Sequence, residues 1–411
     1  MKMFEPFTIK NTSFRNRIIR SATYEGLCDE NGFPTEKYCR FYETISAKEV
    51  GAIVTGFAYT SLQGRAMQPF QAGMDEMEKT EHFRKMTDAV HQYNCPVFLQ
   101  ISHAGRQTLR GVTQSEVRGV SAKKSYYFNE NPVPFSTKEV YEKIDEYVRA
   151  AELARQSGFD GVQIHAAHGY LVHQFLLPAI NNRRDEFGID KKSRIGTRFL
   201  SEIISGIRNC CGEDFLILVK ISGNVDIGEK FSGVRFGNLI RFLDKMKVDA
   251  IEISYGTMDH PMNIFRGDMP ARLILSQNPI LHTNSAFRGF LNKMMIQSWY
   301  RFKQKPFTPA YNLIFAKAAK QITNIPMISV GGFRSGNEIE TAISSGFTDF
   351  VGLSRALICE PNFILKIKNE IACKSACENC NYCAVMCDSG RPTQCYKTKQ
   401  KKEELWNFSA K

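Results

Sequence analysis

The chain has 411 residues, 43% hydrophobic and 23% charged, an ordinary balance for a globular protein, with a formal net charge of +12. No run of about 18 apolar residues occurs, which excludes a helical membrane span. Residues 1–7 lack the apolar stretch of a signal peptide, so a cytoplasmic protein is expected. The basic excess, part of it in the Lys-rich residues 397–402, suits an anionic substrate or an acidic electron-donor protein. No basic helix interleaved with aromatics is read, so neither nucleic acid nor a membrane is expected as a partner.

Short apolar runs alternate along the chain with amphipathic helical stretches. Strands are predicted at 17–21, 52–55 and 97–101. Residues 107–137, rich in Ser, Asn, Gly and Pro and carrying Tyr126, Tyr127 and Phe128, read as a lid over an active face. Ile144, Tyr147, Val148 and Ala151 then keep the i, i+3, i+4, i+7 spacing of a helix, and a strand follows at 161–164. The same spacing recurs at Leu200, Ile203, Ile204 and Ile207, ahead of strands at 216–221 and 250–254. Residues 256–309, with Trp299 and Tyr300, form a second insertion expected on the same rim. Strands at 327–330 and 350–353 complete eight. Most are continuous apolar runs, as parallel strands buried on both faces require. Eight strand–helix alternations without duplication into halves argue for an α/β fold of the TIM (β/α)8 type, with rim insertions. The barrel is expected to span residues 1–361, and a Cys-rich segment residues 362–411.

The fourth strand runs into His165-Ala166-Ala167-His168-Gly169-Tyr170, two imidazoles and a phenol at a strand's C-terminal end, where barrels place catalysis. Two His at this spacing alone are more often structural, and zinc is disfavoured because the HExxH pattern is absent. The seventh and eighth strands run into Gly331-Gly332 and Ser354-Arg355, at the two strand ends where such barrels often bind phosphate. Of twelve Cys, six fall between Cys373 and Cys395. That clustering reads as metal or iron–sulfur ligation, while scattered thiols such as Cys28 and Cys95 read as reduced.

The His165–Tyr170 segment, Asn16–Tyr24 and the Gln100-Ile101-Ser102-His103-Ala104-Gly105-Arg106 run resemble the Old Yellow Enzyme family of FMN-dependent ene-reductases, from Phe4 to about residue 396. The resemblance implies FMN as cofactor. His165 and His168 would grip a substrate carbonyl oxygen, with Tyr170 as proton donor. It places Ser21, Ala22, Thr23, Tyr24 and Phe57 around the flavin, Gln100 on its pyrimidine edge, and Lys220 near N1 and O2, where many members carry Arg. Gly331, Gly332, Ser354 and Arg355 would hold the phosphate. Two departures stand out: Tyr24 replaces a Thr or Cys, and Gly56 replaces an often acidic residue. His103 is expected to order its loop rather than react.

Cys377, Cys380, Cys383 and Cys395 resemble the iron–sulfur segment of trimethylamine dehydrogenase and 2,4-dienoyl-CoA reductase, which implies a [4Fe–4S] cluster. Zinc and free thiols are the competing readings, and Cys387 offers an alternative ligand. Those relatives continue into a dinucleotide-binding portion, which is not expected here. The expected activity is reduction of the C=C bond of an α,β-unsaturated carbonyl compound, with electrons from NAD(P)H or a small redox protein. Amine oxidation or demethylation, and an FMN barrel acting on tRNA, are the alternatives. A homo-oligomer is left open.

Overall fold

The structure is a computed structural model and describes residues 1–228 and 233–397. Eight parallel strands close into a barrel in chain order. They are β1 (Ile18–Arg20), β2 (Ala52–Tyr59), β3 (Val97–Ser102), β4 (Gly161–Ala166), β5 (Leu216–Ser222), β6 (Ala250–Ser254), β7 (Met327–Val330) and β8 (Phe350–Leu353). Closure is made by β8 on β1, Val351 facing Ile18 and Leu353 facing Arg20. All eight predicted strands are present, and the fold is the TIM barrel that their alternation implied.

β2 runs four residues beyond its predicted end, because its register against β3 shifts between Val54 and Phe57. Gly56 sits in that irregularity. A Cβ there would lie 2.3 Å from the Glu25 carboxylate, so an acid arriving from the β1 loop fills the space that a side chain at 56 would take.

The bottom of the barrel is sealed by a hairpin of Phe7–Ile9 and Thr12–Phe14. Phe14 stacks on Phe98 at 6.0 Å, and Phe7 meets Phe350 edge-on at 5.0 Å. With Val54, Leu218 and Ile328 these rings make a dry lower core. Helices cover the outside for local reasons. Thr137–Gln156 starts at a capping box, Ser136 with Glu139, and buries Val140, Tyr147, Ala151 and Ala154. Arg198–Cys211 buries Phe199, Ile203 and Ile207. The helix Phe363–Asn369 also buries Phe363, Ile364 and Ile367 in the main core, so barrel packing continues past residue 361.

The lid expected at 107–137 is partly ordered as a short helix, Arg110–Thr113, and a ladder of Arg118–Gly119 with Val133–Pro134. The second insertion contains helices Ala271–Gln277 and Ala286–Phe302. The Cys-rich tail folds back over the same rim, its helix Tyr382–Cys387 packing Val385 and Met386 against Leu273, Ile274 and Ile296. Among the described residues no helix is long and apolar enough to cross a membrane.

Candidate active site

A cavity of ≈ 600 Å³ opens at the C-terminal ends of the strands, within the usual range for a small-molecule site. Its floor is a polar layer inside an otherwise apolar barrel. Gln100 on β3 donates to Gln163 on β4 at 2.6 Å, and Gln163 donates to Glu252 on β6 at 2.6 Å. Lys220 on β5 pairs with Glu252 at 3.2 Å and donates to Ser21 Oγ at 3.3 Å; the Ser21 hydroxyl also donates to Glu252. Glu252 is wholly buried, and every buried polar group of the layer has a partner, which is the condition for tolerating it there.

Above this layer stand the imidazoles. His165 and His168 lie with ring centroids 4.9 Å apart, and Tyr170 lies 4.9 Å from His165. His165 shares its rung with Lys220, and its Nδ1 is buried without a hydrogen-bond partner. His168 takes a positive φ of 60°, which turns its ring so that Nε2 meets Ser254 Oγ at 2.8 Å. Desolvation pushes both imidazoles well below the usual histidine range; Lys220 adds to the effect on each, and the two rings repel each other's charge at His168. Both are neutral at pH 7. Burial pushes the Tyr170 phenol up, so it keeps its proton. Phe57, 5.4 Å from Tyr170 and 6.3 Å from His165, packs the wall between them.

The opposite end of the cavity carries Gly331, Gly332, Ser354 and Arg355. Gly332 has a φ of 87°, and a Cβ there would lie 2.6 Å from Thr308 O, so the backbone passes closer than any side chain allows. Arg334 also lines this end and donates to Cys377 O at 2.9 Å. Arg355 donates to Asn381 at 2.6 Å. Two guanidinium groups thus flank a paired-glycine loop.

The roof comes from four separate segments. Asp388 of the tail accepts from Gln68 at 2.8 Å, Asn278 at 3.0 Å and Tyr127 at 3.4 Å. Burial pushes the Asp388 carboxyl up to about 6, against those three hydrogen bonds. Thr393 N–H donates to Glu25 O at 2.7 Å and ties the tail to the β1 loop.

Of the residues expected around a flavin, Ala22, Thr23, Tyr24, Phe57, Gln100, Lys220, Gly331, Gly332, Ser354 and Arg355 line this cavity, as do His165, His168 and Tyr170. Ser21 does not: its N–H is used by Leu353 O and its hydroxyl by Glu252, so it belongs to the layer beneath. The Tyr24 hydroxyl donates to Pro69 O and the ring lies 6.4 Å from Phe57, which holds it in the wall. His103 is buried, accepts from Gly105 N–H at 3.0 Å and orders its loop.

The tail thiols lie in two groups. Cys383 is pushed up by burial and further by Cys377, Cys380 and Cys395; Cys380 is pushed up likewise by Cys377 and Cys395. Cys387, pushed up by burial and also by Cys383, lies 3.1 Å from Thr393 Oγ1 and from Cys383 O. Cys359, after β8, has Cys395 as its hydrogen-bond neighbour. Among the described residues no three His, Cys, Asp or Glu side chains are gathered at metal-binding distance.

Sequence reasoning missed Gln163, Glu252, Ser254, Arg334, Asn278 and Asp388. Gln163 and Glu252 left one signal, a polar residue inside an otherwise apolar buried strand. Asn278 and Asp388 left none.

Residues 2–278 match the model of the NADH:flavin oxidoreductase / NADH oxidase family. The chain is 28% identical over 398 residues to the NADH oxidase of Thermoanaerobacter brockii, covering 95% of this chain and 54% of that protein. It is 28% identical over 375 residues to the NADPH dehydrogenase of Bacillus subtilis, covering 88% and 93%. The chain thus spans about half of the first relative and nearly all of the second. Among solved structures, a 2-naphthoyl-CoA reductase in complex with 2-naphthoyl-CoA superposes with a TM-score of 0.78 at 20% identity, over 98% of this chain and 58% of that one. An Old Yellow Enzyme homologue from Zymomonas mobilis gives 0.71 at 20% identity, over 95% and 99%. The chain is an FMN-type oxidoreductase and belongs to the NADH:flavin oxidoreductase / NADH oxidase family.

Proposed function

We propose that the chain reduces the C=C bond of a bulky, apolar α,β-unsaturated carbonyl compound, with electrons from NAD(P)H. The observation that carries this reading is the neutral His165–His168 pair beside a protonated Tyr170 on the cavity floor. A neutral imidazole has one N–H to donate. Two such donors at one spot hold a carbonyl oxygen and stabilise the negative charge it gains as the alkene is reduced. Tyr170 retains its proton until a carbanion-like centre develops, and then delivers it to the α-carbon.

The residues fit FMN. Gln100 offers a donor and an acceptor to a pyrimidine edge. Lys220 supplies a cation where negative charge builds, and Arg334, Arg355 and the Gly331-Gly332 loop suit a phosphate. When bound, FMN supplies hydride for the β-carbon. The substrate side of the cavity is walled by Met258, Met262, Ile264, Ile274 and Ile296, which favours a large apolar body over a small polar one. The 2-naphthoyl-CoA held by the solved structure of like fold is such a body, joined to a carbonyl.

Cys377, Cys380, Cys383 and Cys395 are the ligands we assign to a [4Fe–4S] cluster, which would pass single electrons from a redox partner. The spacing of the four in the tail supports the set, and Cys387, bonded to Thr393, is the alternative ligand. As folded, the thiols are not gathered at ligating distance.

The test is an anaerobic turnover assay of NADPH with a bulky cyclic enone and with a tertiary amine, together with iron and sulfide analysis. Reduction of the enone supports the reading. Amine oxidation without enone reduction replaces it. Iron-free protein with full enone activity removes the cluster and leaves the reductase.

A further inference from the structure

The helix Ala286–Phe302 of the second insertion has two apolar sides. Its inner side buries Ile296 and, with Trp299, lines the cavity. Its outer side exposes Phe287, Phe290, Leu291, Met294, Met295 and Phe302, each 46% to 72% accessible. These positions recur at intervals of three, four and seven residues, so they form one stripe along the helix. Single exposed apolar residues need no explanation, but six on one stripe do. Arg288 and Lys293 are exposed on the same helix, and Lys303 just past its end.

The surrounding sequence is one-sided. Between Asp268 and Glu338 there is no acidic residue, while the stretch carries nine Lys and Arg. Lys305 and Lys320 of this stretch pair with Asp226 and Asp349, but the charges carried by the helix itself and its C-terminal end, Arg288, Lys293 and Lys303, are all cationic, and that charge selects a partner. A second copy of this chain would bring the same cations face to face across a two-fold interface. A nucleic acid would meet Phe, Leu and Met at the centre of the contact instead of basic groups. An anionic lipid surface satisfies both features, taking the apolar side chains into the acyl boundary and the Lys and Arg side chains among the headgroups.

We propose that Ala286–Phe302 docks the protein on anionic membrane surfaces. Met295 is both exposed on the stripe and part of the cavity lining, so the docked helix would set the cavity beside the bilayer.

The experiment is flotation of the full-length flavin-loaded protein with phosphatidylcholine vesicles, with and without phosphatidylserine. The variants are a triple substitution, Phe287→Ser, Phe290→Ser and Met294→Gln, and a charge pair, Arg288→Gln with Lys293→Gln. All five sites are exposed, and the flavin spectrum checks their folding. We expect co-flotation with the anionic vesicles alone, about tenfold lower in the triple variant, and lowered by the charge pair and by salt. No co-flotation of the wild type overturns the proposal. So does equal binding by the triple variant, which would move the contact elsewhere. A wild type that is dimeric by light scattering, with a monomeric triple variant, overturns it in favour of self-association.

Discussion

On the cavity floor, Gln100, Gln163, Lys220 and Glu252 stand on four consecutive barrel strands and reach one another within 3.2 Å. At the roof, Asp388 gathers Gln68, Tyr127 and Asn278 from positions 320, 261 and 110 residues away in the chain. The floor's geometry is fixed by strand register, since Gln100 faces Gln163 and Lys220 faces Glu252 rung by rung. The roof's geometry is held by side chains from loops and insertions and by one backbone bond, Thr393 N–H to Glu25 O. Parts that bind a fixed group belong on rigid elements, and parts that admit and release a substrate belong on the less stable ones. The two regions should therefore fail differently when broken.

The largest effect is expected at the floor. Glu252→Ala leaves the Lys220 ammonium buried without its partner, a loss of about 3–5 kcal/mol of stability, along with loss of flavin retention. Denaturant titration of the apoprotein reads the first and the visible spectrum the second. A cost below about 1 kcal/mol would show that water or another group already serves Lys220. Next comes Tyr170→Phe, which should slow the alkene half-reaction by about 10²–10⁴ and leave flavin reduction by NADPH intact. Stopped-flow traces of the two half-reactions separate these, and equal slowing of both would remove Tyr170 as proton donor. His168→Ala should lower kcat on enones by about 10²–10³ through loss of one donor. A change in KM alone would make His168 a binding residue only.

The smallest effect is expected at the roof. The Asp388 carboxyl is held up at about 6, above its ordinary value, so the folded roof binds a proton that the open roof releases. Its contribution is complete below about pH 4 and is lost as pH rises through about 6. Proteolysis of the tail should accelerate across that window in the wild type, while Asp388→Asn should stay flat and alter KM more than kcat. An identical pH slope in both proteins would place the titrating group elsewhere.

The difference between the regions also decided what the sequence could show. Strands buried on both faces write themselves as apolar runs, so all eight were legible, and strand ends then placed His165, Lys220 and Arg355. Glu252 was visible as a charge in such a run, but nothing said that Ser21, Gln163 and Lys220 converge on it. β2 was cut short at Thr55, because Gly56 reads as a break until Glu25 is seen occupying its side-chain space. The roof was invisible for another reason. Asn278 and Asp388 lie in stretches with neither a strand's run nor a motif, and only the fold brings them together. The stripe on Ala286–Phe302 was hidden too, since apolar residues at helical spacing read as core until their exposure is known.

The tail's return over the barrel also fixes an order of assembly. The floor is complete once β8 has closed on β1, whereas the roof waits for Asp388 and Thr393, made after every barrel strand. A nascent or nicked chain lacking those residues would hold a formed flavin bed with no cover above it. The stretch made after every barrel strand is thus the one that covers the cavity.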